Sequence, residues 1–310
     1  MSFIASTGVT NVDLMYVGMP RVPQEGEEIF SSGFRVQLGG GAPGTLVNAA
    51  RLGLPARLAT YLGDDLFSEF ARAEFARSGV TPRNLYTGGE GIPLNVTSVM
   101  LTSGDRTFAT YCTPAKITDA LCDAVYQMST GARIVQMQPG FLPVYEKLHE
   151  EGTTLLFDIG WDDEMSLEKY RDDLRLADYF TPNTREALQI TGTDTPEEAI
   201  RVLAGYMEHP LVKLDKDGCL ILVDGQPRTV PNIPEFSCRD ATGAGDAFLA
   251  GLMYGLYHGY TFPESVLFGN ITGGKCVTGV GCLTAWVTES ELLTLARKYH
   301  GFLTEPGGKL

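Results

Sequence analysis

Long apolar runs, basic clusters and paired cysteines are all missing from this 310-residue sequence. No apolar stretch approaches the roughly 18 residues that a membrane span needs. The N-terminal segment MSFIASTGVTNVDLMYVG has no basic region ahead of its apolar residues, as a signal peptide would. The six cysteines form no CxxC pair, which argues against a disulfide framework or a zinc site. We therefore expect a cytoplasmic protein with no membrane partner.

Positive charge is also scarce, since 24 Lys and Arg residues face 38 Asp and Glu residues and leave a net charge of -14. Binding to nucleic acid depends on clustered Lys and Arg, so we expect no nucleic-acid partner. Any anionic ligand must be held locally, by backbone amides or by a metal. The hydrophobic content of 44% and the charged content of 20% are ordinary for a globular protein and exclude disordered and fibrous classes.

Two common nucleotide-binding motifs are absent as well. The first predicted strand, FIASTGV, leads into TNVD without the Gly-x-Gly-x-x-Gly turn of a dinucleotide-dependent oxidoreductase. A Gly-x4-Gly-Lys-Ser/Thr loop occurs nowhere in the chain, which excludes a Walker-type NTPase.

What the sequence does have is an alternation of short apolar runs with amphipathic helical stretches. This pattern predicts an α/β fold with a mostly parallel central sheet flanked by helices. Two β-rich regions, about 12–37 and 92–113, break the rhythm, and SGDR inside the second is a hairpin signal. We interpret them as a small β-sheet lid on a single domain that spans residues 1–310.

The stretch CRDATGAGDAFLAG, residues 238–251, reads as a loop that turns sharply into an apolar helix. Gly243 and Gly245 let consecutive N–H groups converge, and Ala244 keeps bulk away from them. Such a nest of amides stabilises charge on a phosphoryl group in flight. Asp246, in the first helical turn, is placed to accept a proton from an attacking hydroxyl. The plain alternative is a helix N-cap.

This order of residues resembles the C-terminal signature of the ribokinase-like (PfkB) carbohydrate kinases. Three further segments resemble motifs of that family in the same order: LGGGAPGTLVNAARLG (38–53), TPNTREA (181–187) and NITGGKCVTGVG (270–281). The resemblance implies a three-layer ribokinase-like fold and ATP-dependent phosphorylation of a hydroxyl on a sugar or related small molecule.

The resemblance also implies roles for particular residues. Asp246 becomes the general base, and the amides of Gly243, Ala244 and Gly245 become the anion hole. The acceptor would be bound by Asp13, Asn11, Gly39, Gly40, Gly41 and Gln138. ATP would be bound by Asn183, Lys213, Asp215, Gly218, Thr242 and Asn270. Glu186 would hold Mg²⁺ through water, and Asp240 would belong to a site for a monovalent cation such as K⁺.

Several of these residues have structural alternatives. Asn183 and Glu186 fit an N-cap and a first-turn acid. Asp13 and Asn11 fit ordinary turn residues. Lys213 and Asp215 stand where relatives commonly carry Thr and Gly, so the nucleotide contacts stay open, and Lys213 also fits a surface residue.

The acceptor is the main open question. Gly44 occupies the position where many relatives carry a sugar-binding Asn. A sugar, sugar acid, sugar phosphate or nucleoside would use the same machinery, although the acidic composition disfavours a strongly anionic acceptor. A catalytically silent protein that senses a sugar or nucleotide is the non-enzymatic alternative. The resemblance further implies a homodimer formed through the lid.

Overall fold

The computed structural model describes residues 2–113 and 116–303. The strands are β1 (Ile4–Thr7), β2 (Asn11–Val17), β3 (Gly33–Leu38), β4 (Ala56–Thr60), β5 (Val80–Asn84), β6 (Asn95–Leu101), β7 (Arg106–Tyr111), β8 (Ile134–Met137), β9 (Thr154–Phe157), β10 (Tyr179–Phe180), β11 (His209–Lys213), β12 (Cys219–Val223) and β13 (Gln226–Val230). The helices are α1 (Ala42–Arg51), α2 (Leu66–Ser78), α3 (Asp119–Ser129), α4 (Leu142–Glu150), α5 (Arg171–Leu176), α6 (Thr184–Thr191), α7 (Pro196–Leu203), α8 (Ala244–His258), α9 (Phe262–Cys276) and α10 (Glu289–Tyr299).

A nine-stranded sheet forms the centre of the molecule, in the order β13-β12-β11-β10-β9-β8-β1-β4-β5. The strands from β11 to β5 pair in parallel, and only β12 and β13 run antiparallel at one edge. Because the parallel strands point the same way, their carboxyl ends meet at one edge of the sheet, where ligands bind in such folds.

Helices cover the sheet on both faces. Leu156 and Phe157 are neighbours on β9, and alternation of side chains along a strand sends them to opposite faces. Leu156 packs with Leu46 of α1 and Leu249 of α8, whereas Phe157 packs in a second cluster with Val144 of α4. The predicted three-layer fold with a mostly parallel central sheet flanked by helices is therefore confirmed.

A separate four-stranded sheet, with the order β3-β2-β6-β7, is the lid. β2 pairs in parallel with β6, while β3 and β7 pair antiparallel at the two edges. The register places Asp13 opposite Gln37 and Thr97, and Thr97 opposite Thr110. These side chains therefore share one face of the lid.

Three details of the sequence interpretation differ from the structure. Asn11 begins β2, so Asn11 and Asp13 lie in a strand and not in a turn. The strands β5 and β13 were not expected, because Pro82 and Pro227 weaken a strand pattern. Both are edge strands of the central sheet, where proline is tolerated because one side of the strand makes no ladder hydrogen bonds.

The predicted single domain includes residues 1, 114–115 and 304–310, which lie outside the described residues. The domain assignment and the cytoplasmic location stay predictions. Among the described residues, no helix is long and apolar enough to cross a membrane.

Candidate active site

The loop before α8 has the geometry of an amide nest. Gly243 caps the helix with a φ of 77°, a left-handed conformation that glycine adopts at little cost. A Cβ on Gly243 would also overlap Cys282, so both the backbone angle and the available space require glycine. The Ala244 N–H donates to the Ala241 carbonyl at 3.3 Å, whereas no hydrogen bond from the Gly245 or Asp246 N–H to a described residue is found, and these N–H groups form the positive end of α8. An anion is favoured at this point.

Asp240 fixes the shape of this loop. Its Oδ1 accepts hydrogen bonds from the Thr242 N–H at 2.9 Å and the Thr242 Oγ1 at 2.7 Å, and its Oδ2 accepts one from the Gly281 N–H at 2.8 Å. Burial disfavours the charged carboxylate, but these hydrogen bonds and the Arg106 guanidinium outweigh it and hold the pKa of Asp240 below its ordinary value. Asp240 therefore stays ionised and ties the loop to residue 281.

Asp246 lies at the first turn of α8 and faces the glycine loop before α1. The Gly41 N–H donates a hydrogen bond of 3.0 Å to Asp246 Oδ1. A Cβ on Gly40 would overlap Asp246 Oδ2, so the backbone at residue 40 approaches the carboxylate more closely than any side chain permits. Burial, assisted by the Asp158 carboxylate, raises the pKa of Asp246 to about 7. A carboxylate with such a pKa is suited to general base catalysis near neutral pH.

Lys213 brings a cation to the same place from the end of β11. Its Nζ lies 3.5 Å from Asp158 Oδ1 and 3.3 Å from the position of a Cβ on Gly245. Burial opposes the positive charge, but the carboxylates of Asp158, Glu186 and Asp246 outweigh it and raise the pKa of Lys213. Lys213, with 16% of its side chain exposed, is therefore a largely buried ammonium beside the amide nest, and the surface alternative is wrong.

Asn183 and Glu186 form a capping box at the start of α6. The Glu186 N–H donates to Asn183 Oδ1 at 2.9 Å, and the Asn183 N–H donates to Glu186 Oε2 at 2.8 Å. Residue 183 also makes a parallel bridge with Lys213, which places the box beside the buried ammonium. Burial raises the pKa of Glu186. Asn183 and Glu186 therefore cap α6, as the structural alternative predicts, and they also lie beside Lys213 at the candidate site.

The proposed acceptor residues meet at the root of the lid. A Cβ on Gly39 would lie 2.7 Å from the Asn11 Cβ and 2.8 Å from Asp13 Oδ1. The Gly39 N–H donates to the Asn11 carbonyl at 2.8 Å, and Asn11 Nδ2 donates to the Gly40 carbonyl at 3.3 Å. Burial raises the pKa of Asp13 to about 6. Asn11, Asp13 and the glycine loop are therefore one unit, and that loop contacts Asp246.

Four other predicted residues make structural contacts of their own. Asn270 Nδ2 donates to the carbonyls of Val230 and Pro231, at 2.9 Å and 3.0 Å. Gly218 has a φ of 99° and packs against the Val230 carbonyl, and Asp215 has a φ of 52° in the turn before it. The Gln138 N–H donates to the Tyr145 hydroxyl at 2.8 Å. Within residues 2–113 and 116–303, no hydrogen bond joins the Gln138 side chain to the Asp246 group.

Glu186, the residue expected to hold Mg²⁺ through water, has a suitable ligand oxygen. Glu186 Oε1 accepts no hydrogen bond from the described residues, and Oδ1 of the half-buried Asp158 lies 3.5 Å from Lys213 Nζ. Carboxylate oxygens suit Mg²⁺, which keeps several waters and takes further ligands from phosphates. In the described part of the chain, no group of three or more His, Cys, Asp or Glu side chains is arranged to hold a metal by itself. The residues therefore fit an ion that arrives with a nucleotide.

Two further charged side chains at the candidate site, those of Asp158 and Arg106, were not among the site residues assigned from the sequence. Asp158 follows β9, and its Oδ1 accepts a 2.6 Å hydrogen bond from Thr181 Oγ1. An acid directly after a buried strand, in FDIG, was the available signal. Arg106 opens β7 at the tip of the lid and lies 3.6 Å from Asp240 Oδ1. Nothing in the local sequence indicates that contact.

A half-buried carboxylate, a glycine turn at the start of a helix and a lid lie together at the carboxyl edge of a parallel sheet, an arrangement suited to group transfer from an anion. Comparison with known proteins identifies the family. Residues 1–289 match the pfkB family carbohydrate kinases, and the chain belongs to that family. It is an ATP-dependent phosphotransferase with an alcohol group as acceptor.

The relatives are distant but cover most of the chain. A ribokinase of Arabidopsis thaliana is 24% identical over 306 residues, covering 94% of this chain and 80% of the relative. A 2-dehydro-3-deoxygluconokinase of Bacillus subtilis is 25% identical over 296 residues, covering 87% and 90%. The structure of Arabidopsis thaliana ribokinase complexed with ribose and ATP superposes with a TM-score of 0.78 at 23% identity, covering 96% of this chain and 99% of that one.

Proposed function

We propose that this chain transfers the γ-phosphoryl group of ATP to a hydroxyl of a sugar or sugar-like small molecule. Asp246 acts as the general base, and the amides of Gly243, Ala244 and Gly245 form the anion hole. One observation carries the proposal: the Gly41 N–H holds the Asp246 carboxylate at the positive end of α8. This contact joins the acceptor loop to the anion loop in a single cleft.

The transfer is an in-line displacement. The acceptor oxygen forms a bond to the γ-phosphorus while its proton passes to Asp246, and the bond between that phosphorus and the β,γ-bridging oxygen breaks. The electron pair of the broken bond leaves with ADP. The amide nest and the Lys213 ammonium stabilise the negative charge on the phosphoryl oxygens. The lid excludes water and so limits hydrolysis of ATP.

The acceptor site is built from Asp13, Asn11, Gly39, Gly40, Gly41 and Gln138. The buried Asp13 carboxylate supports binding of substrate hydroxyl groups, because a hydroxyl donates a strong hydrogen bond to a charged carboxylate oxygen. The relatives named for ribose and for 2-dehydro-3-deoxygluconate support a sugar or sugar acid. The structural similarity to a nucleoside kinase of Methanocaldococcus jannaschii, with a TM-score of 0.75, keeps a nucleoside as the alternative acceptor.

The nucleotide side is assigned to Asn183, Lys213, Asp215, Gly218, Thr242 and Asn270. Glu186, with Asp158 nearby, would hold Mg²⁺ through water. When bound, Mg²⁺ neutralises charge on the phosphates. A monovalent cation such as K⁺ would take carbonyl ligands around Asp240, Thr242 and Gly281.

The test is ADP release with MgATP across a panel of sugars, sugar acids, sugar phosphates and nucleosides. We expect acceptor-dependent turnover in the wild type and a loss of about 10²- to 10⁴-fold in Asp246→Asn. Glu164→Gln, which removes an exposed acid, serves as the control. Binding of ATP or of an acceptor without turnover in the whole panel would favour the silent sensing protein instead.

A further inference from the structure

Arg106 makes a contact that joins the lid to the loop before the amide nest. Its Nη1 lies 3.6 Å from Asp240 Oδ1. Within residues 2–113 and 116–303, this is the one ion pair between a lid strand and the rest of the protein. Arg106 belongs to the first position of β7, directly after the turn at the tip of the lid. The lid tip therefore reaches the phosphoryl end of the cleft.

The register of the lid sheet shows which way Arg106 faces. Arg106 pairs with Leu101, and Leu101 pairs with Val17. Val17 is four residues from Asp13 on β2, and side chains two or four apart on a strand share a face. Arg106 thus lies on the same face of the lid as Asp13, the acceptor-binding carboxylate.

Asp240 does not need Arg106 to satisfy its oxygens. Both oxygens already accept hydrogen bonds from Thr242 and Gly281 at 2.7–2.9 Å. The distance from Arg106, 3.6 Å, exceeds that of a hydrogen bond. No hydrogen bond from the guanidinium to any described residue is found, and 33% of the side chain is exposed. A guanidinium carries five N–H donors in a planar fork that matches phosphate oxygens, and here they remain available.

Two cations therefore lie near the loop that carries the amide nest. Lys213 lies beside Gly245 on the sheet side, and Arg106 approaches through Asp240 on the lid side. A triphosphate that enters a chain with a net charge of -14 needs such local positive charge. Because Arg106 is on the lid, its position depends on closure, whereas Lys213 is fixed in the body.

We propose that Arg106 is a catalytic residue that lid closure delivers to the transferred phosphoryl group. Its guanidinium moves from Asp240 to the γ-phosphoryl oxygens and stabilises their charge while the acceptor proton passes to Asp246 and the bond to the leaving ADP oxygen breaks. Asp240 holds the guanidinium close to the nest before the nucleotide binds. This inference rests on the proposed function, since it assigns a further residue to the same transfer.

The experiment compares Arg106→Met, Arg106→Lys and the control Arg35→Met with the wild type, using the best acceptor of the panel. Arg35 lies on the same face of the lid, and it makes no ion pair in the described part of the chain. We measure kcat, the KM values for acceptor and ATP, the affinity for MgADP with aluminium fluoride, and the melting temperature.

We expect Arg106→Met to lose at least about 10²-fold in kcat and in affinity for the aluminium fluoride complex, with acceptor KM within about threefold. Arg106→Lys should recover part of the loss, and Arg35→Met should match the wild type. An unchanged kcat in Arg106→Met would contradict the inference alone. A raised acceptor KM with unchanged kcat would also overturn it, since Arg106 would then anchor an anionic acceptor. A wild type without acceptor-dependent turnover would contradict the proposed function and the inference with it.

Discussion

The Gly41 N–H donates to Asp246 Oδ1 across a sequence separation of 205 residues. This hydrogen bond connects the glycine loop before α1, to which we assign acceptor binding, with the start of α8, to which we assign phosphoryl binding. It favours the ionised carboxylate, whereas burial favours the neutral form. The balance leaves a base that titrates near neutral pH and whose position depends on the backbone of two glycines.

The first prediction concerns the space at Gly40. A Cβ at this residue would overlap Asp246 Oδ2, so Gly40→Ala must displace either the glycine loop or the base. We expect kcat to fall by about 10²-fold, because a small misplacement of a reacting group has such a cost. Gly33→Ala is the control, since a Cβ there meets the Val17 Cβ at an ordinary 3.6 Å. Equal activity of the two variants would contradict the close approach.

The second prediction concerns the pH dependence of catalysis. The base is active when it is deprotonated, so kcat/KM should rise with pH and level off above the pKa of Asp246, which is about 7. Asp158→Asn removes a neighbouring negative charge and should move this rise to lower pH. Lys213→Met removes the opposing positive charge and should move it to higher pH. Rate profiles from pH 5 to 9 check both directions, and coincident profiles would contradict the electrostatic coupling.

The same carboxylate has a consequence for stability. Its pKa is raised on folding from 3.8 to about 7, so ionisation weakens the folded state as pH rises between these values. Relative to the wild type, Asp246→Asn should therefore gain stability from about pH 4 to about pH 7 and keep the gain above that. A shift of one unit corresponds to about 1.4 kcal/mol. Urea unfolding at several pH values measures the difference, and a pH-independent difference would contradict it.

Much of this site was predictable because its residues stand at strand ends and helix starts that have strong local signals. The order of Asp240, Gly243, Gly245 and Asp246 already indicates an anion loop and a base. The carboxyl edge of a parallel sheet then brings Lys213 close to them. In the sequence, Lys213 was assigned to this place only by the family resemblance.

The remaining features depend on tertiary contacts that no local pattern records. Arg106 contacts Asp240 because the lid folds over the central sheet. The register of the four lid strands determines on which face of the lid the Arg106 side chain lies. Asn270 was assigned to nucleotide binding, yet its side-chain amide donates hydrogen bonds to two backbone carbonyls of the protein. Lys213 keeps its charge in a largely buried position because three carboxylates raise its pKa, and these carboxylates come from separate segments of the chain.

The fourth prediction separates two roles of Asn270. Its amide donates to two carbonyls and accepts from the Cys219 thiol at 3.2 Å. Asn270→Ala leaves these buried groups without partners and should lower the free energy of unfolding by about 2–4 kcal/mol. Asn232→Ala, which removes a hydrogen bond only to the next residue, is the control and should cost far less. A normal stability with a raised KM for ATP would instead support a direct nucleotide contact.

The last prediction concerns the outer face of the lid. Tyr16, Phe34, Val36 and Tyr111 share the face opposite Asp13 by register, and each is 36–56% exposed. The rings of Tyr16 and Phe34 lie 5.3 Å apart. An exposed apolar patch of this kind is typical of a protein contact, which supports the homodimer that the family resemblance implies. Sedimentation equilibrium should show a dimer in the wild type and a monomer in Phe34→Glu. Phe30→Glu, which alters an exposed residue before β3, should remain a dimer. A dimer that survives Phe34→Glu would place the contact on another surface, because a buried unpaired carboxylate costs too much to be retained at an apolar interface.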